Sequence, residues 1–123
     1  MGFLPLAKPV FGADFWKIDK TTGKPYVMRD DGFEWDDNKA ASNWADHRVR
    51  FEMARGAFKD GFSVEWIDGR HDDNEERFGL LGMVENHLLH VTYTLRGERI
   101  RIISARRAEP HERRRYHNEN RET

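Results

Sequence analysis

Apolar positions recur along the chain with two different periods, and the change of period marks the elements. Ala40, Trp44 and His47 stand at i, i+4 and i+7, the spacing of one helix face, and predict a helix running from Asp36 to about His47. Asp36 is placed to cap it, and Asp37 lies in the first turn, where the helix dipole favours negative charge. Phe51, Ala54 and Phe58 repeat the pattern and predict a second, shorter helix that Asp60-Gly61 ends. Just before these, Phe33-Glu34-Trp35 reads as a brief strand.

From Phe62 onward the period is two. Phe62, Val64 and Trp66 alternate with Ser63 and Glu65, the pattern of a half-buried strand, and the polar stretch from Gly69 to Glu75 reads as a loop. Phe78 to Val84 is uniformly apolar and contains Gly79 and Gly82, which predicts a central strand approached closely by other backbone. Leu89, Val91, Tyr93 and Leu95 alternate with Leu88, His90, Thr92 and Thr94. The short connection Arg96-Gly97-Glu98 joins that strand to a last one, Arg99 to Ala105, as an antiparallel hairpin. Strict alternation puts Ile100 and Ile102 on one face of it and Arg99, Arg101 and Ile103 on the other. Pro110 suits the first turn of a closing helix that reaches about Tyr116 or Asn118.

The order strand, two helices, four strands, helix predicts an α+β fold. Its sheet is expected to be an antiparallel meander, with two N-terminal-side helices and one C-terminal helix packed on one face. Residues 33–118 form the expected domain. Residues 1–32 precede it as an extension, with a hairpin across the turn-rich Lys20 to Lys24, and residues 119–123 form a polar tail.

Composition narrows the class. At 123 residues there is room for one domain, and 12% aromatic residues argue for a packed core although 35% of the chain is charged. The absence of cysteine excludes disulfides and thiolate metal sites. No apolar run approaches the ~20 residues that span a bilayer, and the start lacks the basic region of a signal peptide, so the expectation is a cytoplasmic protein without membrane contact. The acidic run His71-Asp72-Asp73 with Glu75-Glu76 lacks the spacing of a calcium loop and reads as solvated. His87 and His90 fall on opposite faces of a strand, which argues against a zinc pair. Glycine-rich phosphate loops, nucleophile elbows and HExxH are all missing.

Charge changes the picture more. The net charge of −1 conceals an asymmetry: residues 1–95 carry 12 basic and 17 acidic groups, whereas residues 96–123 carry nine arginines, five glutamates and no lysine. Arginine alone offers a rigid fork matched to phosphate and carboxylate oxygens. The arginine-rich end therefore reads either as a solvated helix or as a surface for a polyanion or an acidic partner.

A family resemblance lies on Phe33-Glu34-Trp35-Asp36, on Lys39, Asn43 and His47, on Phe51 and Ala54, and on Phe58 and Asp60. It continues through Glu76-Arg77, an apolar strand ending at Gly82, the run Arg101-Ile102-Ile103-Ser104-Ala105-Arg106-Arg107-Ala108, and Glu112-Arg113 with Tyr116. In order and spacing these resemble the BrnT family of type II toxins, which share a fold with the RelE-type ribonucleases. Residues 1–32 have no counterpart in that family core, and Arg50 replaces a small capping residue. The resemblance implies a metal-independent endoribonuclease that stops translation and needs no cofactor. It also implies neutralisation by a BrnA-type antitoxin, whose ribbon-helix-helix part binds operator DNA, so that the toxin meets DNA only through its partner.

Metal-free RNA cleavage uses the substrate's 2′-hydroxyl as nucleophile, so the protein must move protons and offset phosphate charge. Arg77, Arg101 and Arg106 are the expected phosphate ligands, since the first two can share a sheet face and Arg106 leaves a strand end. His47 is the leading candidate for proton transfer, because its ordinary pKa lies near neutrality. Glu76 is the alternative base and Glu112 a third. Arg107, Tyr93, Tyr116 and Glu112 complete the set as substrate contacts. The competing reading of each arginine is an ion pair with a nearby glutamate, and of each tyrosine a core-edge aromatic. A non-catalytic RNA- or partner-binding module of the same fold is the alternative function.

Overall fold

The structure is a computed structural model that describes residues 15–18, 25–28, 32–72 and 75–121. Strands β1 (Phe15–Ile18), β2 (Pro25–Met28) and β3 (Phe33–Trp35) precede helices α1 (Asp37–His47) and α2 (Phe51–Ala54). A 3-10 helix over Arg55–Lys59 continues α2. Then follow β4 (Val64–Asp72), β5 (Glu75–Val84), β6 (His87–Arg96), β7 (Arg99–Arg107) and α3 (Pro110–Asn120). The strands form one sheet in the order β1-β2-β3-β7-β6-β5-β4.

The fold is α+β, but the sheet is mixed. From β4 to β7 it is the expected antiparallel meander, whereas β3 lies parallel to β7, with Phe33 beside Ile100 and Glu34 beside Arg101. Strand β4, which follows the 3-10 helix, runs to Asp72, so the polar stretch read as a loop from Gly69 is largely strand.

A second correction concerns the helices, which do not share one face. Phe33, Trp35, Leu80, Leu89, Val91, Tyr93, Ile102 and Ala105 bury against Val49, Phe51, Ala54 and Ala57 from the α1–α2 side. Leu81 and Leu88, each adjacent in sequence to a residue of that core, instead bury with Val64, Ala108 and Tyr116 in a second core. Successive strand residues point to opposite faces, so α3 covers the face opposite α1 and α2. Each fully buried Leu or Phe contributes roughly 1.5–3 kcal/mol, which gives both cores comparable kinds of support.

Local chemistry explains the element ends. Asp36 caps α1 by accepting from the N–H groups of Asn38 at 2.7 Å and Lys39 at 3.3 Å. Arg50 supplies no side-chain cap to α2, which is only one turn long before it tightens to 3-10 geometry. Both strand glycines mark close approaches. A Cβ on Gly82 would lie 2.4 Å from the Ala57 carbonyl oxygen, and one on Gly79 would lie 2.3 Å from the Trp66 ring.

Beyond its pairing with β3 at Ile100 and Arg101, this edge of β7 has no strand neighbour among the described residues, and α1 lies along it. The buried Asn43 stands in for a strand: its Nδ2 donates to the Ala105 carbonyl at 2.7 Å, and its Oδ1 accepts from the Ala105 N–H at 3.0 Å. The inward face of α1 is thus set by Asn43, the residue of this helix that is buried, and His47 is exposed rather than part of that face.

Candidate active site

Two rows of polar side chains cross the face that α3 covers. The register of β6 and β7 shifts between Thr92 and Tyr93, because Ile103 is an extra residue with no partner of its own. Counting alternate residues through Ile103 places Arg106 with Ile100 and Ile102. The bulge reverses that, so Arg106 pairs with His90, Ser104 with Thr92 and Arg101 with Thr94, all on the polar face.

In the first row, α3 delivers Glu112 onto Arg106 and His90. Arg106 grips the carboxylate with two parallel bonds, NH1 to Oε1 and NH2 to Oε2, both 2.9 Å, the strong fork geometry of a charge-assisted pair. The His90 Nδ1 lies 2.8 Å from Glu112 Oε2 and 2.8 Å from Arg106 NH2. One nitrogen cannot serve both as donor to the carboxylate and as acceptor from the guanidinium, so the two bonds belong to alternative tautomers. Among the described residues no hydrogen-bond partner meets His90 Nε2. The Trp66 ring packs 5.2 Å from the imidazole, and the Arg115 guanidinium sits 4.5 Å over that indole.

Charge follows geometry. Burial raises the Glu112 pKa, but the Arg106 bonds, the Glu109 N–H and the nearby His90 outweigh it and hold the carboxyl at about 2. Burial lowers the His90 pKa below 6.5, and Arg106 adds to this, while Glu112 and Asp68 oppose it. The site therefore holds a neutral imidazole beside an ionised carboxylate and a guanidinium at neutral pH.

The position of α3 is fixed at both ends of this contact. Glu112 Oε1 also accepts the Glu109 N–H at 2.8 Å, which ties the carboxylate to the first turn. One turn on, the Tyr116 hydroxyl donates to Asp60 at 2.6 Å. Asp60 in turn accepts from the N–H groups of Met83 at 2.7 Å and Phe62 at 2.9 Å. Desolvation raises the Asp60 pKa, but these three donors outweigh it and lower the net value, while burial and Asp60 push the Tyr116 phenol to about 12.

The second row contains two of the predicted arginines. Arg77 pairs with Asp68 across β4 and β5, and Arg101 lies beside both Thr94 and Glu34. The Arg101–Glu34 pair, 3.1 Å apart, joins the parallel strands and is buried, with side chains 8% and 3% exposed. His90 and Thr94 are four residues apart on one strand, so the rows stand about 13 Å from each other at the backbone. Arg106 is therefore separated along the strands from Arg77 and Arg101, which share its face.

The remaining predicted residues lie elsewhere. His47 borders a polar depression of about 370 Å³ at the β7 edge, together with Ser104, Lys39 and Asp46. Glu76 precedes Arg77 and so belongs to the opposite face. Tyr93 is a core residue, stacked on Phe78 and donating to Glu65 at 3.0 Å; burial and that carboxylate raise its pKa. Tyr116 is buried against the second core, and exposed Arg107 lies 3.2 Å from His87. His90 was missed by sequence reasoning, because only the bulged register shows which arginine stands beside it. Glu109, His111 and Glu112 bring possible metal ligands within 4.8 Å of one another, but the Glu112 oxygens already accept from Arg106 and Glu109.

Comparison with individual curated proteins finds no match. The family described as "Ribonuclease toxin, BrnT, of type II toxin-antitoxin system" matches residues 35–112, which run from the last residue of β3 to the first turn of α3 and include His90, Arg106 and Glu112. The chain belongs to the BrnT family of ribonuclease toxins, whose type II systems pair each toxin with a protein antitoxin.

Proposed function

We propose that the chain is a metal-independent endoribonuclease in which His90 transfers protons and Arg106 offsets charge on the phosphate. The observation that carries this reading is the imidazole whose Nδ1 is shared between Glu112 and Arg106 while Nε2 has no partner among the described residues. With its proton on Nδ1 and bonded to Glu112, the imidazole offers an Nε2 lone pair able to take the proton of a ribose 2′-hydroxyl. Attack by that oxygen on the adjacent phosphorus leaves a 2′,3′-cyclic phosphate and a departing 5′-oxygen, which the protonated imidazole can then protonate. A carboxylate that orients a histidine is a recurrent arrangement for proton transfer. The neutral ground state of His90 suits the base role. Arg107, one residue on and opposite Leu89, takes the other face of the sheet beside His87 and lies outside this arrangement.

The same proposal includes a RelE-like fold for residues 33–118, with residues 1–32 as an extension, and action in the cytoplasm to inhibit translation. No helix among the described residues is long and apolar enough to cross a membrane. The partner is proposed to be a BrnA-type antitoxin whose ribbon-helix-helix part carries the complex to operator DNA. One observation favours a non-catalytic binding module instead: both Glu112 oxygens are engaged by Arg106, as in a purely structural ion pair.

The deciding experiment incubates a defined RNA with the protein in excess chelator, beside His90→Gln and Arg106→Ala. Wild type is expected to leave 2′,3′-cyclic phosphate ends, and His90→Gln to cleave about 10²–10⁴-fold more slowly. RNA binding without products would establish the binding module. Equal cleavage by all three proteins would remove His90 and Arg106 from the chemistry.

A further inference from the structure

On the far side of the sheet from Arg106, α1, α2 and the 3-10 helix enclose a groove of about 600 Å³ that closes against the β5–β6 turn. Its rim is basic. Arg48, Arg50, Arg55 and Lys59 line it, against two carboxylates, Glu52 and Glu85. Trp44 organises the first two, with the Arg50 guanidinium 4.2 Å and the Arg48 guanidinium 5.3 Å from its ring centre. A cation held over an aromatic face keeps its N–H donors for oxygen acceptors, since the ring consumes none of them. The floor is apolar, formed by Met53, Gly56 and Val84, and Gly56 is pressed so closely on Val84 that an added Cβ would lie 3.2 Å from it.

We infer that this groove docks an acidic, amphipathic segment of the antitoxin, with apolar side chains on the Met53–Val84 floor and carboxylates on Arg48, Arg50 and Lys59. An apolar floor inside a basic rim complements a peptide that alternates apolar and acidic groups. An RNA strand fits less well: it carries a charge at every nucleotide, so phosphates would meet Glu52 and Glu85, whereas a peptide can set apolar residues against them. The inference rests on membership of a family whose toxins pair with a protein antitoxin, but not on the proposed cleavage chemistry.

The test uses a fluorescein-labelled helical peptide of about four turns, built from Glu, Ala and Leu with the leucines on one face, and a single-stranded oligoribonucleotide as the second probe. Anisotropy is read with wild type, with the charge reversal Arg50→Glu/Lys59→Glu, and with Glu85→Lys. All three substituted side chains are exposed. The peptide is expected to bind wild type, about tenfold more weakly to the double variant and more tightly to Glu85→Lys, a gain that unfolding cannot mimic. The oligoribonucleotide should bind all three proteins within about twofold. Peptide binding that ignores both changes, or absent from wild type, would overturn the inference. So would an RNA affinity that follows the groove charges in place of the peptide, which would make the groove an RNA track. Cleavage assayed on the same proteins separates the two readings, because the groove variants leave His90, Arg106 and Glu112 intact.

Discussion

Every hydrogen-bonding atom of the Asn43 amide engages backbone: Nδ2 donates to the carbonyls of Val49 at 2.9 Å and Ala105 at 2.7 Å, and Oδ1 accepts from Ala105 at 3.0 Å. The residue is buried, so no solvent replaces these partners if the amide is removed. A leucine of similar volume would strand one donor and two acceptors, each at about 1–3 kcal/mol. Asn43→Leu is therefore expected to lose at least about 3 kcal/mol in urea unfolding, with an unchanged slope. A loss below about 1 kcal/mol would mean that β7 and the Val49 loop find other partners, and that α1 docks by apolar contact alone. The sequence placed Asn43 in the family pattern without showing its task, whereas Asp36 announced itself as a cap because capping is local. A strand edge 62 residues away leaves no local mark.

Elements meet at the glycines, where the side-chain pattern was legible, and at the bulge, where it was not. Gly82 stood out as a gap in an apolar run, and the 3-10 helix fills that gap with the Ala57 backbone. Gly82→Ala brings a Cβ to 2.4 Å from a carbonyl oxygen that cannot rotate away, so the 3-10 helix must lift from β5. Overpacking of this kind costs about 1–3 kcal/mol, a fall of about 4–15 °C in melting temperature for a domain of this size. Gly61→Ala, with nothing within 4 Å of the added carbon, is the control and should shift it by less than about 2 °C. Equal effects at both positions would contradict the packing argument. Ile103, by contrast, sits between Ile102 and Ser104, and nothing in the alternation shows that it lacks a cross-strand partner. Two-residue periodicity records which face a side chain takes only while the ladder is unbroken. The polar row of Arg106 and His90 therefore became visible only with the backbone register.

At the scale of the molecule, the doublets Leu80-Leu81 and Leu88-Leu89 encode a sheet buried on both faces, although element order alone placed all helices on one. The parallel docking of β3 left no such trace, since three residues without a hairpin turn fix neither neighbour nor direction. The same two-sided burial sets how stability responds to acid, because α3 seals its face through ionised groups. Glu112 falls from its ordinary 4.5 to about 2 in the folded chain, so it stabilises fully above pH 4.5 and loses that contribution as pH drops toward 2. Asp60 is lowered as well, and its contribution disappears in the same direction. His90 is also lowered, chiefly by burial; charging it favours the unfolded chain, so stability begins to fall once pH drops below 6.5. Urea unfolding is thus expected to give a plateau near neutrality, a shallow decline below pH 6.5 and a steeper one below pH 4.5. Glu112→Gln should be less stable at neutral pH, since Arg106 keeps its charge and loses its anion, and it should show a flatter profile below pH 4.5. If wild type and Glu112→Gln instead decline in parallel through that range, Glu112 is not the group that acid releases. The seal of α3 on the sheet must then rest on Tyr116 and the Leu81–Leu88 core.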